Sequence, residues 1–204
     1  MSSYVIGLTG GIACGKTNLS NALRTIGAPV IDADEISRSL TAPGGRALPA
    51  IRSTFGDQVF CGDMLNRKAL GNLVFADPAA LEKLNAITHP LIFQIMQEEI
   101  AQHDGPVVLD VPLLFETGIN AWCNEIWCAY LPQKEQIRRL MARDHLSRKD
   151  ALQRIHSQMP ALEKAKKSHH VIRTTGSKEE SAAAVLSLWQ RASEKFSLDK
   201  GEQP

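Results

Sequence analysis

The stretch Tyr4-Val5-Ile6-Gly7-Leu8-Thr9, followed by Gly10-Gly11-Ile12-Ala13-Cys14-Gly15-Lys16-Thr17, decides the fold. Its first half is almost uniformly apolar, as a strand covered on both faces should be. Its second half matches G-x-x-x-x-G-K-[ST] in full, and the residues from Lys16 to Ile26 carry a helical pattern that stops at Gly27. Strand, glycine loop and helix in this order form a phosphate-binding loop. Gly10 and Gly15 let the backbone wrap with its N–H groups inward, and the new helix adds free amides and its positive dipole end. In this setting Lys16 reaches β and γ phosphates and the Thr17 hydroxyl is placed to ligate Mg²⁺. Residues Gly10, Gly11, Ala13, Cys14, Gly15, Lys16 and Thr17 are therefore the expected phosphate site of a nucleotide.

Working outward, short apolar runs alternate with longer amphipathic segments, the pattern of βα units around a buried parallel sheet. The strand candidates are Tyr4–Thr9, Pro29–Ile31, Val107–Val111, Glu125–Tyr130 and His170–Arg173. Ser177 and Glu180 form a capping box that starts the last helix, and Pro78 starts another one residue after Asp77. The expected fold class is α/β, a P-loop NTPase-type three-layer sandwich with a mostly parallel five-stranded sheet. No convincing central strand lies between 36 and 104, where breaks at Pro43-Gly44-Gly45, Asp77-Pro78 and His89-Pro90 suggest a helical insertion over the sheet, assigned to substrate binding. The polar segment 197–204 is read as a disordered tail.

With 204 residues, 44% of them hydrophobic, the chain makes one domain with a core of its own. Twenty-three Lys and Arg against 22 Asp and Glu give a formal net charge of +1, which provides no reason to expect nucleic acid or a membrane as partner. The charge is uneven. Lys134 to Arg173 holds eleven basic and four acidic residues, leaving twelve basic against eighteen acidic elsewhere. Such a run is most often a solvated helix face. The four cysteines show neither metal-ligand spacing nor the density of a disulfide scaffold, so reduced and mostly buried thiols are expected. No secretory signal or bilayer-length apolar stretch is present, which points to a cytoplasmic protein, and a monomer is expected.

A phosphate loop identifies a nucleotide site without saying what happens there. The N-K-x-D and D-x-x-G strings of guanine-nucleotide switches are absent, and Asp110 is followed by Val111 rather than by the glutamate of many motor ATPases. Size, insertion and basic arm favour a small-molecule kinase. Another small-metabolite or nucleoside monophosphate kinase, or a nucleotide-binding regulatory protein, are the alternatives. Asp32 and Asp34 stand just beyond the second strand, where open α/β sheets bind their ligands. Asp32 is the better candidate for a helix cap, and Asp34 for a base that accepts a hydroxyl proton. Arg38, at i+4 from Asp34, lies on the same helix face and suits a substrate phosphate.

Gly7 to Ile12 running into the loop, Val30-Ile31-Asp32-Ala33-Asp34 with Arg38, Leu84 to Pro90 (LNAITHP) and Leu109 to Glu116 (LDVPLLFE) together resemble dephospho-CoA kinase. The resemblance spans nearly the whole chain in order. It implies ATP-dependent phosphorylation of the ribose 3′-hydroxyl of dephospho-CoA, with a helical CoA-binding insertion at about 36–104 and a mobile helical lid at about 134–167. It also implies that Ala13 to Asn18 form the ATP phosphate site, that Asp34 is the general base, and that Arg143 is the lid arginine closing over the triphosphate, Lys16 of the loop being the third catalytic residue. Taken alone, Arg143 reads equally as a surface residue paired with a nearby acid. By the same resemblance His89, Pro90, Leu113 and Leu114 fall in the acceptor pocket, although a His before Pro more often has a structural role. Asp110, ending a buried strand, is a candidate for ordering the magnesium hydration shell. Two departures from the family pattern stand in the loop: Ala13-Cys14 where Gly-Ser or Gly-Ala is commoner, and Asn18 for a hydroxyl residue. A third lies at Ser168 to Gly176, where members often show Ala-Asp before the strand and Asn before the glycine.

Overall fold

All seven residues of the first strand are buried, which is why Tyr4 to Gly10 carries almost no polar side chain. A computed structural model describes residues 3–201, and in chain order its elements begin with β1 (Tyr4–Gly10), α1 (Lys16–Thr25), β2 (Val30–Asp32), α2 (Ala33–Leu40) and α3 (Leu48–Phe55). There follow β3 (Phe60–Cys61), β4 (Met64–Leu65), α4 (Arg67–Ala76), α5 (Pro78–Ala101), β5 (Pro106–Asp110) and β6 (Glu125–Tyr130). The chain ends with α6 (Gln133–Asp144), α7 (Arg148–His156), α8 (Ala161–Lys167), β7 (His170–Arg173) and α9 (Lys178–Gly201). It divides into two compact units, one of residues 1–31 with 100–204 and the other of Asp32–Glu99.

The first unit is built on a five-stranded sheet of order β2-β5-β1-β6-β7. β1 pairs in parallel with β5 and β6, and β6 with β7. Register places Asp110 of β5 opposite Leu8 and Ala129 of β6 opposite Gly10, so the three strands reach the same edge of the sheet. One face is covered by α1 and α9, where Leu19, Leu23, Val185 and Ala192 close over Ile6, Leu8, Trp127 and Ile172. α8 lies against β6 and β1. These layers form the three-layer α/β sandwich. All five expected strands are present with ends shifted by at most one residue.

The second unit is helical apart from the antiparallel hairpin β3-β4. Arg52 secures that hairpin, its guanidinium lying 4.3 Å from the Phe60 ring centroid and donating to the Gly62 carbonyl at 2.6 Å. Strands of two residues leave no period to read in the sequence.

Two expectations are corrected. The break at His89-Pro90 does not occur, because α5 runs from Pro78 to Ala101 through Pro90. A proline removes one intrahelical donor, and a 24-residue helix with Ala80, Thr88 and Met96 buried keeps enough packing and hydrogen bonding to tolerate that loss. The tail expected to be disordered from 197 is helical to Gly201 as the last turns of α9, and 202–204 lie outside the described residues. A polar segment continues a helix readily when a long amphipathic stretch precedes it, since propagation costs far less than nucleation.

Candidate active site

The loop after β1 is shaped by backbone geometry that few residues accept. Ala13 has φ +60° and Gly15 φ +82°, and the alternation of left-handed residues with right-handed ones turns successive N–H groups into a nest. A Cβ at Gly10 would lie 2.7 Å from the Ala129 carbonyl oxygen, so β1 leaves the sheet there as glycine. The loop is held from beneath. Thr174, just past β7, donates its hydroxyl to the Cys14 carbonyl at 2.8 Å, and Gln136 of α6 donates its amide to the Cys14 sulfur at 2.7 Å. Burial pushes the Cys14 thiol pKa up, so its side chain packs and bonds rather than reacts.

Lys16, the first residue of α1, forms an ion pair with Asp110 at the end of β5. Their side chains are 15% and 2% exposed. The β1–β5 register makes this pair possible by bringing the carboxyl end of β5 beside the root of the loop. Thr17 follows in the first turn of α1 and is exposed. Asn18 turns its side chain to α9, donating to the Lys178 carbonyl at 2.9 Å and to the Ser181 hydroxyl at 3.2 Å.

Helix α6 brings Arg139 against the loop. Its guanidinium donates to the Thr174 carbonyl at 2.5 Å and lies beside Gly15. Arg143, one turn later, faces elsewhere: it is bidentate on Asp144 at 2.7 and 3.1 Å, with 60% of its side chain exposed. Asp144 also accepts from Arg154 at 2.9 Å. In this structure the guanidinium beside the phosphate loop is that of Arg139, while Arg143 pairs with Asp144. Arg139 and Gln136 were missed because neither belongs to a motif. Their i, i+3 spacing on one face of α6 was the signal available.

After β5, Leu113 is 37% exposed while Leu114 is fully buried, its methyl groups over Gly7 of β1. Of the two leucines expected in the acceptor pocket, Leu114 is thus a packing residue and Leu113 presents its side chain to solvent.

In the second unit, Asp32 caps α2, accepting from the backbone N–H groups of Asp34 at 2.9 Å and Glu35 at 3.1 Å. Its carboxylate is committed to the helix end. Asp34 and Arg38 are both exposed on α2. His89 stacks on Phe93 with ring centroids 5.6 Å apart, and partial burial lowers its pKa, favouring the neutral ring.

Among the described residues no group of three or more His, Cys, Asp and Glu could hold a metal ion, and no helix is long and apolar enough to cross a membrane. A site with a phosphate nest, a lysine and an arginine beside it, and hard oxygens from Thr17 and Asp110 is suited to a triphosphate with Mg²⁺.

Comparison with known proteins gives the chain a family. A dephospho-CoA kinase of Carboxydothermus hydrogenoformans is 41% identical over 192 residues, covering 92% of this chain and 93% of its own. The solved dephospho-CoA kinase of Campylobacter jejuni superposes with a TM-score of 0.72 at 27% identity, covering 95% of this chain and 99% of that one. The solved structure of TT1252 from Thermus thermophilus gives a TM-score of 0.81 at 34% identity over 94% and 98% of the two chains. The family model described as dephospho-CoA kinase matches residues 4–180, and the chain, with its phosphate loop intact between β1 and α1, belongs to the dephospho-CoA kinase family.

Proposed function

We propose that this chain transfers the γ-phosphoryl group of ATP to the ribose 3′-hydroxyl of dephospho-CoA, giving coenzyme A and ADP. The observation that carries this reading is the family match over residues 4–180 in a chain whose phosphate loop keeps its strand–loop–helix setting.

The transfer is an in-line displacement in which the protein positions and neutralises without forming a covalent bond. Asp34 accepts the proton of the attacking hydroxyl, the 3′-oxygen bonds to the γ-phosphorus, and the bridging oxygen leaves with ADP. Loop amides from Gly11 to Thr17 and the Lys16 ammonium hold the charge that develops on the phosphoryl oxygens. Arg139, beside Gly15, adds a guanidinium to the triphosphate, and Arg143 serves as the second lid cation. Mg²⁺, held by the Thr17 hydroxyl with Asp110 ordering its hydration, would neutralise phosphate charge. Arg38 supplies a cation for an acceptor phosphate, while His89 and Leu113 contribute to the acceptor pocket. The reaction belongs in the cytoplasm, with the enzyme acting as a monomer.

Mass spectrometry of dephospho-CoA incubated with the purified chain, ATP and magnesium tests the reading. Gain of one phosphate on dephospho-CoA, and none on nucleoside monophosphates or sugars, is expected. Phosphorylation of one of those acceptors instead, or acceptor-independent ATP hydrolysis, would overturn it.

A further inference from the structure

Lys164 is the one fully buried lysine among the described residues, and the chemistry above leaves it unused. Burying an ammonium is costly unless its hydrogen bonds are satisfied, and an apolar side chain would fill the same space without that cost. Its bonds are specific. From α8 the ammonium donates to the Pro112 carbonyl at 2.6 Å and pairs with Glu116 Oε1 at 2.9 Å. The same Glu116 oxygen accepts from the Met159 backbone N–H at 2.9 Å. The Pro112 carbonyl is held from its other side by the Thr9 hydroxyl at 3.1 Å, and Thr9 immediately precedes the phosphate loop.

The segment 112–116 is therefore clamped at both ends by one ammonium and at its start also by β1. Between those ends lie Leu114, packed over Gly7, and Leu113, directed outward. α8 is itself fixed one turn earlier, where the Ala161 methyl lies over Gly11. Lys164 thus ties the segment after β5 to the helix that packs on the phosphate loop, and the orientation of Leu113 is set by that tie.

We propose that Lys164, acting through Pro112 and Glu116, is a positioning residue for the acceptor: it fixes the backbone that presents Leu113. The inference rests on the placement of Leu113 in the acceptor pocket made above. It predicts that breaking the clamp damages acceptor binding and spares ATP binding.

Steady-state kinetics of the full chain, with each substrate varied in turn, tests it on Lys164→Met, Glu116→Gln, their double variant and Leu113→Ala. Lys164→Met and Glu116→Gln should each raise KM for dephospho-CoA by about tenfold and leave KM for ATP within about twofold. The double variant should be no worse than the poorer single one, because both remove the same clamp. Should Lys164→Met not fold, Glu116→Gln carries the test, since its carboxylate is partly exposed and its amide keeps the shape. A raised acceptor KM in Leu113→Ala alone overturns the clamp and leaves the acceptor placement standing. An unchanged acceptor KM in Leu113→Ala overturns that placement and the proposal with it. A fall in kcat with both KM values unchanged also overturns the proposal, as the mark of a merely structural role.

Discussion

Lys16 and Asp110 meet across the carboxyl ends of neighbouring strands, the lysine from the first turn after the phosphate loop and the acid from the last position of β5. The pair is mostly buried, so neither partner is dispensable. Asp110→Asn should cost about 1–3 kcal/mol of stability by chemical denaturation. It should also lower kcat about tenfold or more by coupled ADP release, because the lysine loses the group that orients it. A variant with full turnover would make the pair purely structural.

The two arginines of α6 separate cleanly in a mutational comparison. Arg139→Ala removes the guanidinium beside Gly15 and should lower kcat by about 10²–10³. Arg143→Ala removes an exposed cation whose bonds go to a partly buried acid outside the loop, and should cost less than Arg139→Ala in the same assay. The reverse order would return the principal lid role to Arg143.

Asp34→Asn should abolish most turnover, by about 10²–10⁴, while nucleotide titration finds ATP affinity nearly unchanged. Asp32→Asn should behave differently, since asparagine is also a good helix cap: stability and turnover should both stay close to those of the parent. Unchanged turnover in Asp34→Asn would exclude it as the base.

Ala13 sits at φ +60°, a conformation that costs a residue with a Cβ about 1–2 kcal/mol. Part of that is offset because glycine loses more entropy on folding. Ala13→Gly should therefore raise stability by about 0.5–1 kcal/mol in urea or thermal unfolding without loss of activity. Destabilisation would show that contacts of the Ala13 methyl with α6 and α7 outweigh the backbone strain.

The thiols should divide by burial. Cys123 and Cys128 are pushed up to about 12 by burial, so at pH 8 only about one part in ten thousand of each is thiolate. Cys14 is buried and also shifted upward, whereas Cys61 is exposed. A maleimide at pH 7.5 should label Cys61 alone in the native chain and all four after denaturation. Because the shifted thiols ionise only as pH rises toward their folded values, raising the pH to 9 should not make Cys123 or Cys128 reactive.

The features legible in the sequence were those with a local cause. The five strands, the Ser177–Glu180 capping box with its reciprocal bonds of 2.9 and 3.0 Å, and the Asp32 cap each depend on residues within a few positions of one another. The phosphate loop was legible for the same reason. The bonds that hold it were not, because Gln136, Arg139 and Thr174 reach it only once α6 and β7 have packed, and nothing in the spacing of a single helix says which arginine meets the loop. Pro90 misled in the opposite sense: its local preference is real, but the packing of α5 overrides it. Leu113 and Leu114 carry the same side chain and differ only in which way the backbone turns after β5.

The central strand β1 is made first, yet both of its neighbours in the sheet come late, β5 beginning at Pro106 and β6 at Glu125. At about 5–20 residues per second a ribosome leaves Tyr4 to Gly10 without a partner for roughly 5–20 s, and α9, which covers α1, comes later still. The contacts that hold the phosphate loop, from Asp110, Gln136 and Thr174, consequently form only after β5, α6 and β7 have been made. A nascent chain stalled before β5 would display β1 as an apolar ribbon with neither of its sheet neighbours, making it a client for chaperones well before it is an enzyme.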